Sequence, residues 1–428
     1  MALCVGGRCL GTWLSLEGPR TGVVVLIEKI DSGGGSEPTL VEFAVAVSEG
    51  GVPTHIVVSS SKWVQRFLLR WRLSRASRRG ARLTVSSMGR LVDSRAARSV
   101  ALKYLRGPSR LRFTAFRFLL GFDRTRTRRF LRSASVILTS QTISTRGIEE
   151  VTRLSGARLV LNHNGSPEDF LWKWFRRPGP LTAADFTEYE RYLNAFSSIA
   201  FQSDAHMEEF VALHPDNASV KGVVWPSCNE QKILAGVRSR SPFNEGSFNL
   251  LCVAKFQSAK GQLELVHAFG SLAQEFPDVN MTFLGGESSE RGYRDHCIRV
   301  AQSLGLSGRV FFEGYRRDVA AYLAHCDAMV LPSSSEGVSR AVREASFLGR
   351  PIVCSRLSGL EGFLGPSGAL YFEDRTAAGL HNTLRHALLN PQALRLAGEV
   401  ARSAYLEKAS FDKFAASARG FLLTQISR

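Results

Sequence analysis

No run of apolar residues in this 428-residue chain approaches the length of ~20 that a membrane-spanning helix requires, so a helical span is not expected. Cysteine is sparse: seven residues, an odd number, scattered along the chain. Cys4 and Cys9 form no ligand spacing with a second pair. Cys252 and Cys354 sit inside apolar runs, where Cys behaves as a small hydrophobe. Neither a disulfide framework nor a zinc site is expected, and a reducing, cytoplasmic setting follows. No Asp-X-Asp triplet occurs, so nothing points to a metal. The first 20 residues lack a clean apolar stretch before a cleavage site and read as an N-terminal extension. Apolar residues at 44% and charged residues at 22% exclude a disordered or collagen-like chain, and the length suits two domains.

Acidic residues are nearly missing from one place. Between Lys62 and Arg132 there are 21 Lys and Arg against only Asp93 and Asp123. This segment carries a charge of +19, while the whole chain carries +17. Trp63, Phe67, Leu68 and Trp71, and further on Leu111, Phe113, Phe116, Leu119 and Leu120, recur among these cations at roughly helical spacing. A basic helix with an apolar face suits an anionic membrane surface, where each Lys or Arg contributes about 1 kcal/mol. An anionic acceptor would use the same charge. So would a basic surface whose apolar stripe packs inward. No zinc-finger, RRM or KH pattern accompanies the charge, which weighs against nucleic acid.

Short apolar runs alternate with helical patterns along the chain. Strands are expected at 22–27, 55–59, 134–140, 157–163, 199–203 and 220–225, with a helix near 39–50. The polar, turn-rich segment 239–247 reads as an interdomain linker. A second series of strands follows at 248–254, 279–286, 309–314, 328–333, 350–355 and 369–372. The expected fold class is α/β, with two doubly wound parallel-sheet domains facing each other across a cleft. Residues 21–240 form the first, with the basic region 62–132 inside it, and 245–405 form the second. Residues 406–428 form a final helix.

Ligands of such sheets lie at the strand C-terminal ends. The strand at 248–254 is followed by Lys255, then by Lys260 and Gly261 just before a helix. Two cations beside a helix N-terminus suit an anion. Further on, Glu336 and Glu344 stand eight residues apart in PSSSEGVSRAVREASFLGRP. Gly337 permits close backbone approach, and Ser339 is placed to cap a helix carrying Glu344 in its second turn. Arg340 is close enough to meet an acidic group, or is plain surface charge.

Residues 248–390 resemble the donor-binding domain of glycosyltransferase family 4, the retaining enzymes of GT-B fold. The pieces VAKFQSAKG, FLGG, VFFEGYRRDVAAYLAHCDAMVLPSSSEGVSRAVREASFLGRPIVCS and LSGLEGF occur in the family's order, and Glu336 through Glu344 matches its E-x7-E pattern. The first domain is similar more loosely. Gly33, Gly34 and Gly35 match the Gly-rich loop that approaches the donor phosphates. NHNGSPEDF matches the strand end bearing the family's active-site histidine, here His163, and FQSDAHMEEF matches its "QS" segment. The last helix is similar to the one that crosses back onto the first domain. Lys255 stands where the family often has Arg. Val338 and Ser339 replace its frequent aromatic and proline.

The resemblance implies hexosyl transfer from a nucleotide-diphosphate sugar, without cofactor or metal, and with retained anomeric configuration. Lys255 and Lys260 would stabilise the departing diphosphate, together with the backbone at Gly337, Val338 and Ser339. Glu336 would accept hydrogen bonds from the sugar and Glu344 would hold the ribose. His163 would contact sugar or acceptor, and Gly34 and Gly35 the donor. Gly314, Tyr315 and Arg316 would open the base pocket. A lipid-linked or polysaccharide acceptor of cell-envelope or exopolysaccharide synthesis, reached from the inner face of the membrane, suits the basic region. A non-catalytic nucleotide-sugar binder and a basic nucleic-acid binder are the other readings. The E-x7-E run argues against a sugar-nucleotide epimerase of similar architecture.

Overall fold

The computed structural model describes residues 4–5, 8–9, 22–27, 36–49, 51–58, 83–87, 131–140, 145–168, 182–288 and 290–427. Seven parallel strands build the first sheet: β1 (Gly22–Ile27), β2 (Thr54–Val58), β3 (Leu83–Ser87), β4 (Ala134–Ser140), β5 (Arg158–His163), β6 (Ser198–Phe201) and β7 (Val220–Val223). Their order is β3-β2-β1-β4-β5-β6-β7. Helices α1 (Ser36–Glu49), α2 (Thr145–Leu154), α3 (Ala183–Asn194) and α4 (Asp204–Leu213) connect them. The reason for the short apolar runs is visible in β4, where every residue but Ser135 is buried. Such strands have helices on both faces and no solvent side on which to alternate.

After α5 (Glu230–Val237) comes a six-stranded parallel sheet: β8 (Phe248–Val253), β9 (Val279–Leu284), β10 (Val310–Gly314), β11 (Ala328–Leu331), β12 (Ile352–Ser355) and β13 (Leu370–Phe372). Its order, β10-β9-β8-β11-β12-β13, repeats the logic of the first. The helices are α6 (Gln262–Glu275), α7 (Tyr293–Ser303), α8 (Val319–His325), α9 (Arg340–Phe347), α10 (Ser358–Leu364), α11 (Ala377–Leu389) and α12 (Pro391–Lys408). The strand order reverses between β1 and β4 and again between β8 and β11. Each reversal opens a crevice at the strand C-terminal ends.

The last helix, α13 (Phe411–Ser427), returns to the first domain. Phe414, Ala415, Ala418 and Leu422 join the core made by α1, β1 and β4. The Phe414 ring meets Phe43 edge-on at 5.1 Å, and Ser198 donates to the Gln425 side chain at 2.5 Å.

Two expectations change. The segment 239–247 is not the linker. Cys228 and Ile233 already belong to the second-domain core, Phe243 packs on Tyr322, and His325 Nε2 lies 2.9 Å from the Ser239 carbonyl. The chain therefore crosses between Val224 and Glu230. Val224 is in the first core and Glu230 opens α5. The turn-rich composition marks a surface loop of the second domain instead. Strand β3 was also not expected, because its five residues sit among arginines that hide the pattern. It pairs with β2 from Leu83 to Ser87. The remainder of the basic region, apart from 131–132, lies outside the described residues.

Phe414→Ala removes a fully buried ring that ties the last helix to the first domain. The expected loss is about 3–5 kcal/mol, measured by urea unfolding.

Candidate active site

The second domain's contribution begins where β8 ends. The chain makes a short 3₁₀ turn over Ser258–Lys260 and enters α6 through Gly261 at φ +68°. A Cβ at Gly261 would stand 2.4 Å from the Pro332 carbonyl, so only glycine lets this turn lie against the loop after β11. Ser334 seals the contact, its N–H donating to the Ala259 carbonyl at 2.8 Å. The result places Lys260 Nζ 2.7 Å from Glu336 Oε1, and Ser333 donates to the same oxygen at 2.9 Å. Both charges are largely covered, with side chains 23% and 13% exposed. Gln262 Nε2 donates to the Lys255 carbonyl at 2.8 Å. Lys255, a half-buried residue, makes no ion pair among the described residues.

Gly337 follows Glu336, and Ser339 occupies the N-cap of α9. The Ser339 hydroxyl makes no capping bond; its carbonyl accepts from Arg343 N–H at 3.0 Å. Glu344 lies in the second turn, as its spacing indicated. Burial raises its carboxyl above the usual range, opposed by Arg340, Lys232 and Arg343. Arg343 is fully buried and donates through Nη1 to the Ser227 carbonyl.

The first domain reaches Gly337 from the other side. A Cβ at Gly337 would stand 2.9 Å from Gly165 N and 3.0 Å from Gln202 Oε1. Gln202 Nε2 donates to Asn164 Oδ1, which also accepts from Asn162 Nδ2 at 3.2 Å. A Cβ at Gly359 would stand 2.6 Å from His206 Cε1 and 3.0 Å from the Gly337 carbonyl. The NHNG, QS, E-G and LSG segments thus converge on one backbone position.

His163 is placed beneath this junction. Its ring is fully buried, 5.2 Å from the Phe201 ring and 6.0 Å from that of Phe210. Burial, then His206, pushes its pKa down to about 3, against a hydrogen bond to the Gly165 backbone that pulls upward. In this arrangement the imidazole does not meet the cleft. It supports Gly165, so the expected contact with sugar or acceptor would require the loop above it to move.

On the far side, a Cβ at Gly285 would come within 1.8 Å of the Ala254 carbonyl, so FLGG can lie against the end of β8 only with glycine there. Gly285 N–H donates to the Gly314 carbonyl at 2.8 Å, with Gly314 at φ +65°. Tyr315 is 60% exposed, with its Cβ within 3.7 Å of where a Gly286 Cβ would be. Arg316 is engaged by Asp318 at 2.9 Å and Glu313 at 3.5 Å.

The structure therefore brings Lys260, Glu336, Gly337, Val338 and Ser339 together at the β8–β11 reversal, with Gly314 and Tyr315 at the neighbouring strand ends. Gly34 and Gly35 lie outside the described residues, just before α1. No group of three metal-ligating side chains occurs among the described residues. Sequence reasoning quoted Gly165 and Gln202 only within the NHNG and QS segments, without their contact with Gly337, and passed over Glu42, which approaches Arg340, and the buried Arg343. Only an arginine among the apolar positions of α9 signalled the last of these.

Comparison with known proteins bears on the family and the fold. Residues 237–404 match the family model described as glycosyl transferases group 1, and the second domain belongs to that family. The whole chain has the two-domain GT-B fold. It superposes on the Anabaena protein HepE, solved with UDP and glucose, with a TM-score of 0.66 at 16% identity, over 95% of this chain and 99% of that one. A lipopolysaccharide core biosynthesis glycosyltransferase, LpsE of Rhizobium meliloti, is 33% identical over 116 residues, 27% of this chain and 32% of the relative. A D-inositol 3-phosphate glycosyltransferase of Corynebacterium urealyticum is 30% identical over 125 residues, 28% of this chain and 30% of the relative. The matched stretches thus span about a third of the length of these curated relatives.

Two outcomes follow from the junction. Gly337→Ala forces a methyl group against the Gly165 backbone; overpacking of this kind costs about 1–3 kcal/mol, read by thermal unfolding. His163 is neutral when folded down to a pH of about 3, but protonates near its ordinary value when unfolded. Stability therefore falls as pH drops below about 6.5, because the unfolded chain then binds the extra proton. His163→Phe should flatten that part of the pH–stability curve.

Proposed function

We propose that the protein is a retaining, metal-independent hexosyltransferase that moves a sugar from a nucleoside diphosphate sugar to a lipid-linked or polysaccharide acceptor. The observation that carries this is the Lys260–Glu336 pair at the strand-order reversal, with Lys255 nearby and the start of α9 beside it. The difficult event is departure of the diphosphate, which gains negative charge. In this reading Lys260, Lys255 and the backbone amides at the start of α9 receive that charge, and preorganised electrostatics of this kind dominates many enzyme mechanisms. Glu336 has acceptor capacity left for sugar hydroxyls, since the bonds from Lys260 and Ser333 both go to its Oε1. Glu344 holds the ribose, and Tyr315 with Gly314 borders the base. HepE, similar in fold, was solved with UDP and glucose, which supports a uridine nucleotide as the first donor to try.

The acceptor reading rests on charge. The excess of +19 between Lys62 and Arg132 falls within the first-domain part of the sequence. An anionic acceptor, or a lipid-linked one on the inner face of an anionic membrane, suits that field. LpsE, similar over its matched stretch, is named for lipopolysaccharide core biosynthesis, which supports an envelope role. Among the described residues no helix is long and apolar enough to cross a membrane.

Incubation with UDP-, GDP- and ADP-sugars, reading released nucleoside diphosphate, should give turnover with one donor class. Binding without release would favour a non-catalytic nucleotide-sugar protein. Lys260→Ala should lower turnover at least ~100-fold. Unchanged turnover would remove Lys260 from the site. Flotation with liposomes should recover more protein with anionic than with neutral lipid, and salt should weaken the difference; equal recovery would count against the membrane.

A further inference from the structure

A second charged cluster lies behind the donor face and spans the two domains. Glu42, in the second turn of α1, approaches Arg340 of α9, with Oε1 3.9 Å from Nη2. Its side chain is only 17% exposed, and Oε2 is buried without a hydrogen-bond partner. Arg343 stands three residues after Arg340, on the same side of α9. It is buried with Nε unpartnered, and its Nη1 donates to the Ser227 carbonyl. Ser227 lies in the first interdomain crossing. Its hydroxyl is 3.1 Å from Tyr405 Oη, which donates to Glu230 Oε1 at 2.8 Å. The same Glu230 oxygen accepts the Phe411 N–H at 2.9 Å, in the second crossing. Arg343 is thus tied to both crossings, while Arg340 faces the opposite domain.

Burial is the first influence on both Glu42 and Arg343, raising the carboxyl and lowering the guanidinium, and each is the largest charge partner acting against the other's shift. A buried cation left without its carboxylate is strongly unfavourable. Opening the cleft would carry Glu42 away with the first domain and leave Arg343 in the second.

We infer that Glu42 is a positioning residue for the donor site: it balances Arg340 and Arg343 across the cleft and so holds the closed arrangement in which the Glu336–Glu344 segment meets the first domain. This rests on the donor reading above. A donor that contacts both domains binds the closed form better. Weakening the clamp therefore lowers apparent affinity by the fraction of closed molecules lost. Saturating donor restores closure, so kcat is spared.

The test uses the full chain and the variants E42Q, R340Q and E42Q/R340Q. UDP, GDP and ADP are titrated by calorimetry against the wild type, and the tightest is carried forward. Each single variant should weaken that nucleotide about tenfold and raise the donor KM correspondingly, with kcat within about twofold, if the closed fraction falls to roughly one in ten. The double variant should cost no more than E42Q alone, since Glu42 is the partner through which Arg340 acts. A merely structural role would lower the melting temperature without this coupling. Wild-type affinity in R340Q overturns the clamp even if E42Q fails to fold. Costs that multiply to about a hundredfold in the double variant also overturn it, since they mean independent sites. Failure of the wild type to bind any of the three nucleotides overturns the donor reading itself, and the clamp with it.

Discussion

Everything in the cleft depends on how closely two backbones approach at Gly337. The Gly165 backbone, through its nitrogen and Cα, and the Gln202 amide oxygen crowd the space that a side chain would need there. This is a steric constraint before it is a chemical one. It lets the loop after β11 lie against the first domain, and that loop carries Glu336. Gly261 plays the matching part on the other side, where the 3₁₀ turn lies against Pro332 and delivers Lys260. Two glycines therefore set where the acid and the amine meet, and neither contributes a functional group.

The charges divide along the same lines. Lys260 and Glu336 neutralise each other at the front of the site at 2.7 Å. Glu42, Arg340, Arg343 and Glu344 do so behind it, with two members of each sign. Apart from Arg340, whose side chain is 38% exposed, these groups are largely removed from water, where an unbalanced charge is costly and a balanced one is weak evidence for stability. Their value lies in geometry. A buried pair has few arrangements that satisfy it, so it fixes the relative position of the elements that carry it. The front pair joins two loops of one domain, whereas the rear cluster joins two domains.

Much of this was legible in the residues. The strands read correctly because parallel strands buried on both faces are short apolar runs, and the second domain's motifs sit at their ends. What escaped notice has a common cause. Val224–Glu230 carries only a short turn signature, in Pro226, Ser227 and Asn229, and the crossing is held by Arg343 and Tyr405 from distant parts of the chain. The turn-rich 239–247 drew attention as a linker, yet it is a loop packed through Phe243 on Tyr322. His163 matched a functional pattern by its neighbours. The partner that decides its placement is the Phe201–Phe210 core, which comes from other elements. Glu42 looks like an ordinary helix-surface acid until α9 is laid against it. Local pattern locates elements and loop chemistry, but partnership between domains is a property of the assembled chain.

The state of Lys260 bears on how such a site works. Held by Glu336, the ammonium is in place before any ligand arrives, so little reorganisation is needed when negative charge develops nearby. The same carboxylate diminishes the field the ammonium presents. Full stabilisation of a departing diphosphate therefore requires Lys260 to share its three donors. One contact, to the Ser335 carbonyl, is long at 3.4 Å and the easiest to give up. The bond from Ser333 would leave Glu336 satisfied if, on the proposed reading, it turned toward a sugar hydroxyl. An acid that orients the cation in the ground state and the sugar in the complex gains interaction as the reaction proceeds. That difference between states, rather than tight binding of either one, is what lowers a barrier.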